Sequence, residues 1–380
     1  MLALLRVPGI GSVRFARLLE HFGSAGAVFA ADRAELKSLE LPDAALDYLH
    51  KPDWRPVEQD LAWLEQIDNH LLPLNDPRYP YLLRQIPYPP PLLFVHGDPA
   101  SLREPQLAIV GARNPTPLGR ETAHRFAAHL AESGLVITSG LALGIDAAAH
   151  EGALAGGGRT IAVMGTSLDR VYPARHRDLA HAIADHGALL SELPTGTPPV
   201  AENFPRRNRL ISGLALGVLV VEAAIQSGSL ITARQALEQG REVFAIPGSI
   251  HNPLAKGCHS LIRQGAKLVE TATDILEELG SLAAAARAPL SRSVAAPADA
   301  ALDAEYQKLL AAIGDESLGV DLLVDRCGLT ANEVSSMLLI LELEGYVATV
   351  PGGLYCRLKP ESLKADHAVP TQQGRLCACS

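Results

Sequence analysis

The central part of the chain alternates short apolar runs with longer amphipathic segments. Strands buried in a parallel sheet are nearly continuous apolar runs, whereas the helices between them carry apolar residues on one stripe. The pattern predicts seven strands, at Gln106–Val110, Leu135–Thr138, Thr160–Met164, Ala188–Ser191, Val218–Val221, Val243–Ile246 and Lys267–Val269. The expected fold class is therefore α/β, with a Rossmann-like, mostly parallel sheet that is covered by helices.

The pattern changes on both sides of this domain, which we expect at residues 69–281. Residues 1–68 predict a helical domain similar to SAM or helix-hairpin-helix modules, with a Pro-Gly-Ile-Gly turn at Pro8–Gly11. Such a turn either offers backbone amides to a DNA phosphate or belongs to a small packing module. Beyond the sheet, residues 282–300 predict an Ala- and Pro-rich linker, 301–358 a winged-helix-like domain and 359–380 a disordered tail.

Composition narrows the class of protein. The 380 residues carry a formal net charge of −9, which argues against a uniformly basic nucleic-acid binder, although local charge matters more than the total. No apolar run is long enough to predict a membrane span, and the N-terminus lacks a signal-peptide pattern. The five scattered cysteines suit reduced thiols. We therefore expect a cytoplasmic protein without a metal site.

Glycines and small polar residues follow the predicted strands. Gly111-Ala112-Arg113 follows the first strand, Ser139 and Gly140 the second, and Gly165 and Thr166 the third. The carboxyl ends of parallel strands meet at one edge of the sheet, where helix N-termini favour an anion. The dinucleotide spacing G-x-G-x-x-G is absent after the first strand, and no P-loop motif occurs. The sequence therefore predicts an anionic ligand and no nucleotide cofactor.

An arginine-rich segment, "NFPRRNRLISGLA" at residues 203–215, begins a predicted helix that leads to this edge. Arginine forks suit phosphates, and the ring of Phe204 suits stacking of a base, although such a run is often a solvated surface. Asp146 and His150 share a helix face at a spacing of four residues. They form either a general acid–base pair or a structural pair, and the absence of a nearby nucleophile favours the structural role.

Six motifs occur in the order of the bacterial DNA-processing protein A family (DprA, also called Smf). These are "IVGARNPTPLG", "SGLALGIDAAAHEGAL", "GTSLDRVYP", "FPRRNRLISGL", "VVEAAIQSGSLITARQALEQGREVFAIPG" and "GCHSLIRQGAKLV". The chain resembles this family densely over residues 100–270. It departs from the usual family pattern at Leu143, where arginine is frequent, and at Ser167, where glycine is frequent.

The resemblance implies binding rather than catalysis. Members bind single-stranded DNA during natural transformation, protect it, help load the RecA recombinase and pair as homodimers. Matching the family's DNA-contact region are Arg113, Arg175, Phe204, Arg207, Asn208 and Arg209. With the strand-end residues and the remaining arginine, the candidate DNA-binding set also includes Ser139, Gly140, Gly165, Thr166 and Arg206. Candidates for the dimer or recombinase surface are Leu237, His259 and Leu268.

Two other functions remain as alternatives. A nucleotide phosphoribohydrolase would share the sheet, but its P-G-G-x-G-T-x-x-E motif is replaced here by "SGSLITARQALE". A pure assembly module would recruit partners without binding DNA. In the winged-helix-like domain acidic residues outnumber basic ones, so we expect it to contact protein rather than duplex DNA.

Overall fold

The computed structural model describes residues 1–287, 304–313, 318–330 and, within 333–357, residues 333–334, 337–338, 341, 346–350 and 354–357. The chain divides at Ala288 into two compact units. The first unit contains the helical N-terminus and the large sheet. The second contains the winged-helix region.

Six short helices precede the sheet: α1 Leu2–Leu5, α2 Ser12–Phe22, α3 Ala25–Ala30, α4 Arg33–Ser38, α5 Asp43–His50 and α6 Arg55–Leu64. They enclose their own apolar cluster, which includes Leu4, Phe15, Leu18 and Leu46. Between α1 and α2 the chain turns at Gly9, whose φ of +74° is accessible to glycine at little cost. A small helical module is thus joined directly to the sheet that follows.

The large sheet has nine strands in the order β1-β2-β6-β5-β4-β3-β7-β8-β9. Their bounds are β1 Asn69–Pro73, β2 Leu92–Gly97, β3 Gln106–Val110, β4 Val136–Ser139, β5 Thr160–Val163, β6 Ala188–Ser191, β7 Gly217–Val220, β8 Glu242–Ala245 and β9 Lys267–Leu268. Strands β3 to β9 are parallel to one another, whereas β2 pairs antiparallel with both β6 and β1 at one side of the sheet. The α/β prediction is confirmed.

Helices cover both faces of this sheet. They are α7 Tyr81–Arg84, α8 Pro117–Glu132, α9 Ile145–Ala155, α10 Arg177–His186, α11 Asn203–Leu214, α12 Ser229–Glu238, α13 Lys256–Arg263 and α14 Ala272–Arg287. Side chains alternate along β3, so that Leu107 and Ile109 pack with α8, α9 and α14, while Ala108 and Val110 pack with α11 and α12. Alternation within a fully apolar strand therefore builds two cores.

The seven predicted strands are all present, each within one residue of its predicted ends. Strands β1 and β2 were not predicted, because prolines dominate the segment before β2 and neither strand belongs to the βα repeat. Helix α14 continues to Arg287 and thus includes the first residues of the predicted linker. The alanines there have the highest helix propensity of any residue. The rest of that segment and the predicted tail lie outside the described residues.

In the second unit, α15 Ala304–Ile313 and α16 Val320–Cys327 pack with a three-stranded antiparallel sheet. Its strands are β10 Leu318–Gly319, β11 Val347–Val350 and β12 Leu354–Arg357. A capping box follows α16: the amide of Thr330 donates to the Glu333 carboxylate, and the Glu333 amide donates to the Thr330 hydroxyl. Buried Val334, Leu338 and Leu341 follow at helical spacing.

Candidate nucleic-acid interface

The strand order reverses between β3 and β7, and a cleft lies at that point. The chain runs outward from β3 through β4 and β5 to β6, and then returns to place β7 on the other side of β3. Ligands of open α/β sheets bind at such a switch point. The switch-point cleft has a volume of about 590 Å³ and is lined by residues that include Gly111, Arg113, Ala142, Asp146, Tyr172, Phe204, Arg207, Asn208, Ser227, Ser229 and Thr232.

Arg207 forms the floor of this cleft rather than an exposed contact. Its side chain is only 6% exposed, and its Nη1 donates to the carbonyl oxygens of Gly140, at 2.7 Å, and Val163. Burial lowers the pKa of the guanidinium to about 10, so Arg207 keeps its charge at neutral pH. A Cβ on Gly140 would lie 2.6 Å from the guanidinium. Glycine is therefore needed at position 140 so that the arginine can reach the ends of β4 and β5.

The sequence contains the signal that Arg207 is buried. Leu210, Ile211 and Leu214 follow it at spacings of three, four and seven residues, and all of them are buried. That spacing defines one face of a helix. Arg206 and Arg209 lie on other faces of α11 and are more exposed. Three arginines that look equivalent in "PRRNR" therefore divide into one buried cation and two on the surface.

An aromatic pair stands beside the floor. The rings of Phe204 and Tyr172 lie with centroids 5.5 Å apart, and Tyr172 is 48% exposed. A Cβ on Gly165 would lie 2.7 Å from the Phe204 ring, so this glycine makes room for the aromatic side chain. Tyr172 is not among the residues predicted from the sequence, although it lies in the "DRVYP" segment just before Arg175. The pair offers an aromatic surface of the kind on which nucleic-acid bases stack.

Arg113 supplies exposed positive charge at the mouth of the cleft. Its side chain is exposed and has no hydrogen-bond or ion-pair partner among the described residues. Asn208 lies in the same lining, and the hydroxyls of Ser227 and Ser229 are 2.7 Å apart at the start of α12. The cleft thus brings together one free cation, one buried cation, an aromatic pair and several uncharged donors. This combination suits phosphates and bases together.

A carboxylate side chain occupies the N-terminus of α8, the place where a Rossmann-like fold usually binds a phosphate. The buried carboxylate of Glu222, just after β7, accepts from the Thr116 amide at 2.8 Å and from the Thr116 hydroxyl at 2.7 Å. Asn252 donates to it at 3.3 Å. A Cβ on Gly119 would lie 2.4 Å from the carboxylate carbon. The loop after β3 therefore holds a side chain of its own protein where a dinucleotide phosphate would bind.

Asp146 and His150 do not form the expected pair, and the predicted contact between them is wrong. Asp146 accepts from the amides of Gly140 and Ala142, while burial raises the pKa of its carboxyl. The His150 Nδ1 lies 2.7 Å from the Thr160 hydroxyl, and its Nε2 has no partner. Because the Asp146 carboxylate bonds to the loop before α9, the shared helix face does not bring the two groups together. Each side chain instead forms hydrogen bonds inside the protein, as expected for a structural role.

The other predicted DNA-binding residues lie around the cleft in different ways. The hydroxyl of Ser139 is buried and donates to the Ile109 carbonyl at 2.6 Å, and Thr166 is also buried. Arg206 and Arg209 bind the nearly buried carboxylate of Glu192. Exposed Arg175 lies in a 3₁₀ turn at Ala174–His176. Of the set, Arg113, Phe204, Arg207 and Asn208 line the cleft itself.

The candidate interface residues lie on α12, α13 and the edge strand β9. Leu237 is 51% exposed and Leu268 is 45% exposed, whereas the His259 ring lies 3.0 Å from the carbonyl oxygen of Gly248. Both leucines thus face solvent. Within the described residues, no group of histidines, cysteines and carboxylates is arranged to hold a metal ion. No helix in that part of the chain is long and apolar enough to cross a membrane.

Comparisons with known proteins identify the family. The family model described as DNA recombination-mediator protein A matches residues 70–280, and that of the DprA winged helix domain matches 293–353. Protein Smf of Escherichia coli is 48% identical over 80% of this chain and 82% of its own length. DNA processing protein DprA of Bacillus subtilis is 47% identical over 57% of this chain and 73% of its own.

Two solved structures of similar proteins agree with this result. The X-ray structure of DprA from Streptococcus pneumoniae has a TM-score of 0.64 at 38% identity, covering 72% of this chain and 95% of its own. DprA from Helicobacter pylori, whose structure is described by its single-stranded DNA binding mode, has a TM-score of 0.50 at 32% identity. It covers 53% of this chain and 93% of its own. The chain therefore belongs to the DNA recombination-mediator protein A family, whose members are named DprA or Smf.

Proposed function

We propose that this protein binds single-stranded DNA through the switch-point cleft, with little sequence preference. The observation that carries the proposal is the position of exposed Arg113 and the Phe204–Tyr172 pair above the buried Arg207 cation. Arginines neutralise phosphates and aromatic rings stack on any base, so neither reads base edges. The single-stranded DNA binding mode of the Helicobacter pylori relative supports the same ligand.

The cleft is better suited to a polymer than to one nucleotide. The helix N-terminus that would receive a nucleotide phosphate is occupied by Glu222. Asp146 and His150, the residues closest in type to an acid–base pair, are buried and do not contact each other. We therefore propose a binding role rather than catalysis. Release of free base from a nucleoside monophosphate by the purified protein would contradict this part and favour the phosphoribohydrolase alternative.

At the cellular level, we propose that the protein protects DNA entering the cytoplasm during natural transformation and helps load the RecA recombinase on it. We also propose a homodimer, with exposed Leu237 and Leu268 in its contact surface together with the region of His259. Sedimentation of wild type and Leu237→Asp would test the dimer. RecA-dependent strand exchange with and without the protein would test loading.

The first test of DNA binding is fluorescence anisotropy with labelled oligo-dT and a duplex of equal length, over a series of salt concentrations. Arg113→Ala should weaken binding of the single strand and lower the salt slope by about 0.7, the value for one phosphate contact. Phe204→Leu should cost about 1–3 kcal/mol for each stacked base lost. The matched control is Arg125→Ala, which removes an equally exposed arginine from the middle of α8. Equal effects of Arg113→Ala and Arg125→Ala would refute the cleft assignment.

A further inference from the structure

A second basic depression lies between the N-terminal helices and α11. This arginine groove has a volume of about 540 Å³ and is lined by Gly11, Ser12, Val13, Arg14, Arg17, Tyr88, Arg206 and Arg209. Half of its lining residues are arginines, from two elements that are far apart in the sequence. Nothing in the sequence spacing predicts that the residues after the Pro8–Gly11 turn lie near the "PRRNR" segment.

The groove has more positive charge than its own carboxylates neutralise. Arg206 and Arg209 share one carboxylate, that of Glu192, whose side chain is only 6% exposed. Arg14 donates one hydrogen bond, to the Gly9 carbonyl oxygen at 2.9 Å. Arg17 has no hydrogen bond or ion pair with any described residue. Four guanidinium groups thus face one buried carboxylate, and most donors of Arg14 and Arg17 remain available to an anion.

Tyr88 presents an aromatic ring between these arginines. The side chain is 65% exposed, although large aromatic side chains are usually at least partly buried. Its φ of +63° lies in the left-handed region, which is unfavourable for a tyrosine that precedes a proline. Arg209 holds this conformation by donating to the Tyr88 carbonyl oxygen at 2.8 Å. An observed backbone outlier that is fixed by a neighbouring side chain is a reason to look for function there.

A mostly apolar cavity of about 550 Å³ adjoins the groove and shares Ser12, Val13, Arg17 and Tyr88 with it. The ligand that matches both depressions carries anionic groups next to flat apolar ones. A polynucleotide has a phosphate and a flat base in every residue, whereas a peptide made of acidic residues alone, such as polyglutamate, has charge but no flat ring. The chemistry of the surface therefore favours nucleic acid.

The groove is a fixed feature of the first unit. Arg6, at the end of α1, forms a two-pronged ion pair with Asp60 of α6, with both N–O distances at 2.7 Å. The Asp60 carboxylate is fully buried and also accepts from the amide and hydroxyl of Thr195, which follows β6. This network ties the helical module to the loop between β6 and α11. The Arg14 and Arg17 side chains are consequently held opposite α11.

Helix α11 separates the groove from the switch-point cleft. Phe204, Arg207 and Asn208 line the cleft, whereas Arg206 and Arg209 line the groove. We propose that the arginine groove is a second contact site for the same single strand, which crosses the N-terminal half of α11 from cleft to groove. This inference rests on the proposed DNA binding, and it assigns the N-terminal helical module a direct part in it.

The test is a length series of labelled oligo-dT, from about 4 to about 30 nucleotides, bound to the full chain. Affinity of the wild type should rise with length in two stages, as first the cleft and then the groove is filled. The variant Arg14→Ala/Arg17→Ala should keep the first stage and lose the second, and its salt slope with long oligomers should fall by about 1.4, for two phosphate contacts. The control, Lys37→Ala/Lys51→Ala, removes the same charge from exposed positions of the same module outside the groove.

A second variant tests the aromatic ring. Tyr88→Gly removes the side chain while allowing the positive φ, so it should fold at least as readily as the wild type. It should weaken binding of long oligomers about fivefold or more and leave short ones unchanged.

The outcomes separate this inference from the function on which it rests. If the groove variants bind every length as the wild type does, while Arg113→Ala remains impaired, the groove inference is overturned and cleft binding stands. If the wild type binds no oligomer, both fail. Unchanged DNA binding by the Arg14→Ala/Arg17→Ala variant, together with loss of affinity for a polyglutamate peptide, would assign the groove to an acidic protein and overturn the proposal.

Discussion

Mild acid protonates one histidine, His150, in the unfolded chain but not in the folded protein, which keeps that side chain neutral. His150 is fully buried in α9, and its Nδ1 lies 2.7 Å from the Thr160 hydroxyl. That hydroxyl donates its only proton to the Ile137 carbonyl oxygen at 2.6 Å, so it must accept from His150. The proton of the neutral ring is thus on Nδ1, and Nε2 is bare and without a partner. A second proton would put a charged N–H in a site that offers no acceptor.

The cost of that proton follows from the pKa shift. Burial, aided by the charges of His176 and Arg207, lowers the pKa of His150 from 6.5 to about 3. Between these two values the unfolded chain binds the proton and the folded protein does not, so the free energy of unfolding falls as the pH falls below 6.5. Each pH unit below 6.5 lowers the free energy of unfolding by up to about 1.4 kcal/mol. The expected loss between pH 7 and pH 5 is about 2 kcal/mol.

Urea unfolding at pH 7 and pH 5 measures this loss. His150→Gln keeps a donor for the Thr160 hydroxyl but cannot be protonated in this range. Its loss of unfolding free energy between pH 7 and pH 5 should therefore be smaller than the loss in the wild type by about 2 kcal/mol. His129→Gln, at an exposed position of α8, serves as the control and should behave as the wild type. If wild type and His150→Gln lose equal stability on acidification, the argument from the buried bare nitrogen is refuted.

Three further predictions concern the cleft. Glu222→Gln replaces charged hydrogen bonds with neutral ones and should lower the free energy of unfolding by about 2 kcal/mol without weakening DNA binding; unchanged stability in urea would contradict it. Arg207→Met leaves the carbonyl oxygens of Gly140 and Val163 without their buried donor and should lower the free energy of unfolding by about 1–3 kcal/mol, measured in the same way, whereas unchanged stability would contradict a structural role for this buried cation. Gly165→Ala displaces the Phe204 ring and should weaken oligo-dT binding several-fold in anisotropy, with the circular dichroism spectrum unchanged.

The repeat of strand and helix made most of the sheet predictable. Gln106–Val110 and Ala188–Ser191 were predicted with their observed ends, because fully buried parallel strands have a strong apolar signature. Leu92–Gly97 was missed although it is equally apolar, since its place in the sheet depends on antiparallel pairing with β6 rather than on a local repeat. Local sequence patterns predict the repeated strands and helices, whereas the position of an antiparallel strand such as β2 depends on its pairing with a strand distant in the sequence.

The candidate site was predictable as a location but only partly as a set of contacts. Strand ends indicated the correct edge of the sheet, and Arg113 and Phe204 do line the cleft there. The spacing of Leu210, Ile211 and Leu214 predicts that Arg207 is buried. The prediction for this segment rests on its arginine content instead and does not use that spacing. The hydrogen bonds between Glu222 and Thr116 could not be predicted, because no sequence pattern links residues that far apart.

The carboxylate of Glu222 has a consequence for how the protein behaves between binding events. A helix whose N-terminus depends on a bound phosphate gains that stability only in proportion to ligand concentration and affinity. Here the anion is tethered to the neighbouring strand, so its effective concentration at Thr116 does not change on dilution. The first βα unit is accordingly complete in the empty protein. If the proposed function holds, a strand of DNA can bind and dissociate repeatedly without a change in the order of this unit.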